Sequence, residues 1–560
     1  MRMKVPLAAF ACVVTALGLA ACSSSSPSSS TPSSSSSSST LVMEGSPTGP
    51  MAQVYNPFNP VTPVTTAGAV NLVYEPLLQF DLLKPGTVYP WLATAYTWSN
   101  GGKTITFTLR SGVKFSNGEA FDAANVAWEF NLMKTDTVMN TDGLPITSAS
   151  ATSPTTVVIN FSRSVYTLLY FIASTYMVPE NIWSKVNPAT YADSAPVGTG
   201  PYVVSSFTSA GITLTRNPHY WGGTPPVAKV EFPAYDSNTS ANLALEQGTL
   251  DWAGNFVQNI TSDFVGKDPS TNHYWDAVLE TQTLTPNLTV FPFTGAAGLA
   301  VREAVSYGID RTTISNDGED FQQPAATGAA SLTGLSMPTD QSYATSATSG
   351  YQTSYDPAKA KQILEAAGWK MGSNGYFALN GKTLAFTIED PTAYTDYITD
   401  DQIVAQELKA VGMDVTVSGT SVAKFGTDVA DGTFQMVNRY GTAGPTPYFA
   451  YDAWLDDTLT AAIGKNATGD QERFYSPQAE TYLQQYASTD NTTTQLNDIV
   501  GLEKIVATQL PVIPLVFGVA WFEYNSSHFT GWPSASNPYD PGQPEGPYDE
   551  YTILHLKPVS

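Results

Sequence analysis

Two segments of the chain end in Gly-Lys-Thr, the residue types with which a backbone loop and a lysine cradle nucleotide phosphates. Neither keeps that loop's spacing. Between Gly375 and Thr383 five residues separate the glycines where four are required, and ahead of Gly102-Lys103-Thr104 the first glycine's place is held by Thr97. Both stretches are predicted to lie in hairpin turns, which excludes nucleotide binding. The four histidines (His219, His273, His528 and His555) are scattered and none forms a pair at metal-ligand spacing. No thiolate is available to join them, so a zinc or nickel site is not expected. No Gly-x-Ser-x-Gly turn offers a serine nucleophile. Carboxylates are plentiful, with 49 Asp and Glu, and two acids can meet in space from anywhere in a sequence. They keep a lipid-anchored extracellular glycoside hydrolase or peptidase as the enzyme alternative. The preferred reading is no catalytic residue, no metal and no cofactor.

The elements around these residues mix strand and helix signals. Thr104 to Arg110 alternates polar and apolar residues as a half-buried strand does, between turn signals at Asn100-Gly101-Gly102 and Asn117-Gly118. Asp122 is placed to cap a helix from Ala123 to Met133. Asp356-Pro357 reads as cap and first-turn proline for a helix with an apolar stripe at Ala360, Ile363, Leu364 and Ala367, stopped by Gly368. Val301, Ala304, Val305 and Gly308 form the buried face of another helix, and Phe377 to Phe386 reads as a hairpin about Asn380-Gly381. No fixed-period repeat is evident. The pattern predicts an α/β body with many hairpins.

Ahead of that body stands an export signal. Arg2 and Lys4 precede an apolar run from Leu7 to Ala20, too short to span the ~30 Å hydrocarbon of a bilayer. Leu19-Ala20-Ala21-Cys22 resembles the lipobox of bacterial lipoproteins, so residues 1–21 are expected to be removed and Cys22 acylated. Residues 22–40, almost all Ser, Thr and Pro after the cysteine, are expected to form an unfolded leash. Cys12 and Cys22 are the only cysteines, leaving none for a disulfide in the body. No second apolar stretch near 18 residues follows. The formal net charge of −24 makes nucleic acid and anionic lipid head groups poor partners.

Several segments, taken in order, resemble one family. Tyr74-Glu75-Pro76-Leu77-Leu78, Pro90 to Ala93 and Phe107 to Gly118 open the series. Ala123 to Val126, Pro196 to Tyr202, Arg216 to Trp221 and Gly248 to Asp251 continue it. Val301 to Ala304 with Ile309 to Arg311, and Tyr355 to Ala358 with Ala367 to Trp369, complete it. The resemblance is to the extracytoplasmic solute-binding proteins of ABC importers, family 5, the oligopeptide/dipeptide-binding type. It implies a periplasmic-binding-protein-like α/β fold of class II, or cluster C: two lobes, three domains and a hinge. Lobe I would comprise residues 41–75, 198–284 and 513–560, the inserted domain 76–197, and lobe II 285–512. The implied protein is a monomer, tethered to the outer face of the cytoplasmic membrane, that encloses a solute and docks on permease subunits.

Peptide-binding members of this family generally hold the ligand's α-amino group with an Asp that precedes a Pro. In the matching stretch, Asn438 to Trp454, Gly441, Thr442 and Ala443 stand in place of that Asp, and Asp452 is the nearest substitute. An ammonium buried without a carboxylate is costly, which weighs against ordinary peptide capture. Aromatic residues crowd the same stretch, and flat rings suit the C–H faces of sugars. The candidate ligand-binding residues are Trp252, Asn255, Arg439, Tyr440, Tyr448, Tyr451, Trp454 and Trp521. The tail from Gly531 to Tyr539 and the terminal Leu556 to Val559 resemble oligosaccharide-binding members, so oligosaccharide is preferred to oligopeptide. Trp91, Trp128 and Trp369 are assigned to packing.

Overall fold

Alternation of Thr with Ile, Phe and Leu produces a strand over Thr104–Leu109, which lies between Ala93–Ser99 and Thr156–Phe161; Ile146–Ser153 completes a four-stranded antiparallel sheet. The helix Ala123–Met133 covers this sheet. Its Asp122 side chain accepts from the backbone of Ala124 and Asn125, and Asn125 returns a bond to the Asp122 backbone, a full capping box. The computed structural model describes residues 40–59, 62–546 and 548–559, and these form one compact body. The signal, Cys22 and the Ser-rich tract up to residue 39 lie outside the described residues. Among the described residues no helix is long and apolar enough to cross a membrane.

A seven-stranded sheet is built around Thr40–Glu44, which runs parallel to both Lys229–Pro233 and Trp252–Ala253. Thr40 was expected in the unfolded leash; it is instead the first residue of this strand and pairs with Lys229. Leu41 and Met43 are fully buried, so the strand starts where apolar side chains can pack. The sheet continues through Gly211–Arg216 and Tyr202–Thr208 on one side, Glu523–Asn525 and Asn272–Tyr274 on the other.

The third large sheet has five strands in the order Asp414–Thr420, Ala385–Pro391, Met436–Arg439, Ala277–Pro286, Ile513–Ala520. The helices Gly295–Gly308, Pro357–Ala366 and Thr395–Val411 pack together beside it. Val301, Ala304, Val305, Ala360 and Leu364 meet in its core. Further along, Tyr448–Leu455, Pro477–Ala487 and Thr492–Gln509 pack as a helical layer. Asn380 (φ 51°) and Gly381 (φ 79°) turn the hairpin of Phe377–Leu379 and Lys382–Thr383, so this Gly-Lys-Thr is a turn.

The seven- and five-stranded sheets are joined at Trp275-Asp276, between Asn272–Tyr274 and Ala277–Pro286, and at Trp521-Phe522, between Ile513–Ala520 and Glu523–Asn525. The Trp275 N–H donates to the Phe522 carbonyl at 3.0 Å, binding the two passages to each other.

Candidate functional site

Glu44 ends the central parallel strand, and its register partner Ala253 ends another; Glu523 pairs with Ala253 on the far side. Carboxyl ends of parallel strands are where open α/β sheets offer ligand sites. Asn255 bridges the two acids. Its carboxamide N–H donates to Glu44 Oε2 at 2.9 Å and its backbone N–H to Glu523 Oε2 at 3.1 Å. Glu44, Asn255 and Glu523 are all buried, and each retains one oxygen without a hydrogen-bond donor. Asp276, in the passage beside them, has neither oxygen partnered. Burial raises Glu44 to about 8 and holds Glu523 and Asp276 well above the carboxylate range.

Across the passage, the Trp521 indole N–H donates to the Tyr440 hydroxyl at 2.9 Å, and the Trp521 ring meets Phe256 edge-on at 5.7 Å. A continuous polar chain leads inward from Tyr440. Gln323 donates to the Tyr440 hydroxyl at 3.3 Å and to Gln282 at 3.0 Å; Gln282 donates to Asn438 at 3.0 Å and to Asp400 at 3.3 Å. The Asn438 backbone closes it on Asp390 at 3.0 Å. Tyr440 fits because residue 518 is glycine: a Cβ there would stand 2.8 Å from its ring. Tyr397 packs on Tyr440 at 5.4 Å between centroids. Two residues beyond Glu44, a cavity of about 340 Å³ lies between Ser46 to Thr48 and Asp236 on one side and Tyr394 and Val422 on the other.

The eight residues singled out from the sequence therefore fall in different places. Asn255, Tyr440 and Trp521 come together at the junction of the sheets. Arg439 is next to it, half-buried, donating to Gln471 at 3.0 Å; burial lowers its pKa, against the opposing pull of Glu472 and Tyr397. Trp252 is a core residue: fully buried, it packs on Trp532 and Phe522 and donates its N–H to the Gly542 carbonyl at 2.8 Å. Tyr451 is likewise buried, its hydroxyl bonded to the Thr333 carbonyl at 2.9 Å, and Trp454 is wedged over Gly334. The helix Tyr448–Leu455 turns both inward, and their hydrophobic area is consumed by packing. Tyr448 stacks on Tyr486 and lines a separate cavity of about 690 Å³ with Asp142, Arg163 and Asp452. Asp452 accepts from Tyr448 at 2.8 Å there, at this second cavity.

Sequence reasoning missed Glu44, Asp276, Gln282, Gln323, Asp400 and Glu523. Acids at 396, 400 and 401 share one face of the helix Thr395–Val411 with Val404 and Leu408, and an acid on an apolar face is a signal of burial. Glu44 and Glu523 carried no such mark, because strand pairing between residues hundreds of positions apart creates their environment.

Comparisons with known proteins agree with this architecture. Residues 87–461 match the family described as bacterial extracellular solute-binding proteins, family 5 Middle. The nickel-binding periplasmic protein of Escherichia coli is 31% identical over 384 residues, 66% of this chain and 70% of that protein. Protein XP55 of Streptomyces lividans is 29% identical over 58% of this chain, which spans only 57% of XP55. A mannohexaose-bound periplasmic oligopeptide-binding protein of Thermotoga maritima superposes with a TM-score of 0.79 at 24% identity, over 93% of this chain and 99% of that one. AppA of Bacillus subtilis, in complex with a nonapeptide, superposes with a TM-score of 0.74 at 17% identity, over 93% and 99%. The fold is that of the cluster C periplasmic binding proteins, α/β in class.

Proposed function

The chain belongs to the family 5 bacterial extracellular solute-binding proteins, non-enzymatic substrate-binding components of ABC importers, and from that premise we propose that it captures an oligosaccharide at the junction of its two larger sheets. The observation that carries this reading is the Trp521–Tyr440 pair, bonded at 2.9 Å and continuous with buried amides and carboxyls. An aromatic platform beside fixed polar groups suits a ring with apolar faces and hydroxyl edges. The mannohexaose in the Thermotoga maritima protein supports it.

Lobe I in this reading is residues 41–75, 198–284 and 513–560, with 76–197 inserted, and lobe II is 285–512. The passages at Trp275-Asp276 and Trp521-Phe522 act as the hinge. Closure shifts a population, and moving it from 1:99 to 99:1 takes about 5.5 kcal/mol of differential binding. An acyl chain on Cys22 keeps the monomer beside its permease. An oligopeptide is the second reading: the unpartnered oxygens of Glu44 and Glu523 would accept from an ammonium, and AppA holds a peptide. Native mass spectrometry of the protein from its own host separates the two. A co-purified oligosaccharide mass is expected; a co-purified peptide overturns the sugar assignment.

A further inference from the structure

The described residues bury twenty carboxyl side chains but only two cationic ones, Arg302 and Arg311. Both arginines turn to the backbone: Arg302 donates to the carbonyls of Phe293 and Gln509, Arg311 to those of Ser306 and Pro514. A lysine ion pair reaches one of the twenty acids, Asp81 from Lys84, and the His528 ring bonds to Asp251. An ionised carboxylate buried without cation or donors is strongly disfavoured and protonates instead.

The acids are gathered, which sharpens the point. In one cluster Glu319, Asp390, Asp400 and Asp401 meet between the turn Ile314–Gly318, the helix Thr395–Val411 and the five-stranded sheet. Asp400 presses so closely on that turn that its Oδ1 leaves no room for a Cβ on Gly318. Both oxygens of Glu319 and Asp401, and one each of Asp390 and Asp400, have no hydrogen-bond partner. The groups facing them are Asp396 on the same helix, Gln282 and Glu280 on Ala277–Pro286, Asn438 and Arg439 on Met436–Arg439, Gln323, Tyr397, Tyr440 and, beside Asp390, Glu389. Arg439 is the one cation in that set, and its guanidinium is held by Gln471. A second cluster at the junction joins Glu44, Asp276 and Glu523, with Glu545 beside Glu44. A third joins Glu75, Glu550 and Asp549, served by the Trp221 N–H and the Gln79 carboxamide.

We propose that these groups fold as carboxylic acids sharing protons among themselves, and that the protein is built for an exterior acidic enough to keep them protonated. Burial, with repulsion from Glu545 and Glu319 respectively, raises Glu44 and Asp396 to about 8, and burial against the pull of hydrogen bonds raises Glu75 and Asp401 to about 7. In the unfolded chain the same groups titrate near ~4. Their contribution to stability is therefore complete below that range and is lost as pH rises toward the raised folded values. An exported protein with ionised, paired acids would behave in the opposite sense.

Thermal unfolding of the full mature chain from pH 4 to 9, at constant ionic strength, tests this. The Tm is expected to be highest in acid and lower by about 10 °C or more at pH 8; a flat curve, or one rising toward pH 8, overturns the proposal. Asp400→Asn, which keeps the shape and removes a titrating group, is expected to shrink that loss while changing Tm little at pH 4.5. A larger loss at pH 8 than wild type contradicts it. Should that variant fail to fold, potentiometric titration of the wild type decides: the native chain at pH 6 binds more protons than the urea-unfolded chain, and an equal or smaller number refutes the idea.

Discussion

Trp521 and Trp252 show how little an aromatic side chain's type says about its use. Trp521 shares a hydrogen bond with Tyr440 at the junction; Trp252 is sealed among Phe522, Trp532 and the Gly542 carbonyl. Trp521→Ala is expected to weaken oligosaccharide binding by about thirtyfold, about 2 kcal/mol, in isothermal calorimetry. Trp252→Ala should instead lower stability by about 3–5 kcal/mol in urea denaturation. Three of the eight residues chosen from the sequence converge on the junction because the residues after Ala253, Arg439 and Ala520 sit where strands end. Tyr451 and Trp454 do not, since the turn of their helix decides which way each ring points. The buried acids were the least legible group, for composition reveals an excess of carboxylates without revealing which are enclosed.

Elements with local causes were readable in advance. The strand Thr104–Leu109 follows from period-two alternation, and Ala123–Met133 and Pro357–Ala366 from their caps. Asp122→Ala removes the bonds to Ala124 and Asn125, and should cost about 1 kcal/mol in denaturant unfolding without changing ligand affinity. The parallel core strand Thr40–Glu44 was not readable, because its partners, Lys229–Pro233 and Trp252–Ala253, stand about two hundred residues away. Within Ile513–Ala520, Gly518 is the position where backbone and ring meet most tightly. Gly518→Ala is expected to displace Tyr440 and reduce affinity by about tenfold or more in the same calorimetric titration, since the neighbouring ring lies in the added methyl's space.

At the scale of the molecule, three sheets with separate hydrophobic cores are tied by few covalent passages, and two of these stand side by side at Trp275 and Phe522. A small number of adjoining passages between large rigid layers is what a hinge requires. If the proposed site and the proposed protonation hold, the acids there and beneath Tyr440 would make the junction responsive to protons as well as to solute. Capture without chemistry is the central claim, and small-angle X-ray scattering with and without saturating mannohexaose, followed by mass analysis of the sugar, tests it most directly. A smaller radius of gyration with mannohexaose and recovery of the hexaose whole are expected. An unchanged radius with sugar bound, or shortened products, would contradict it.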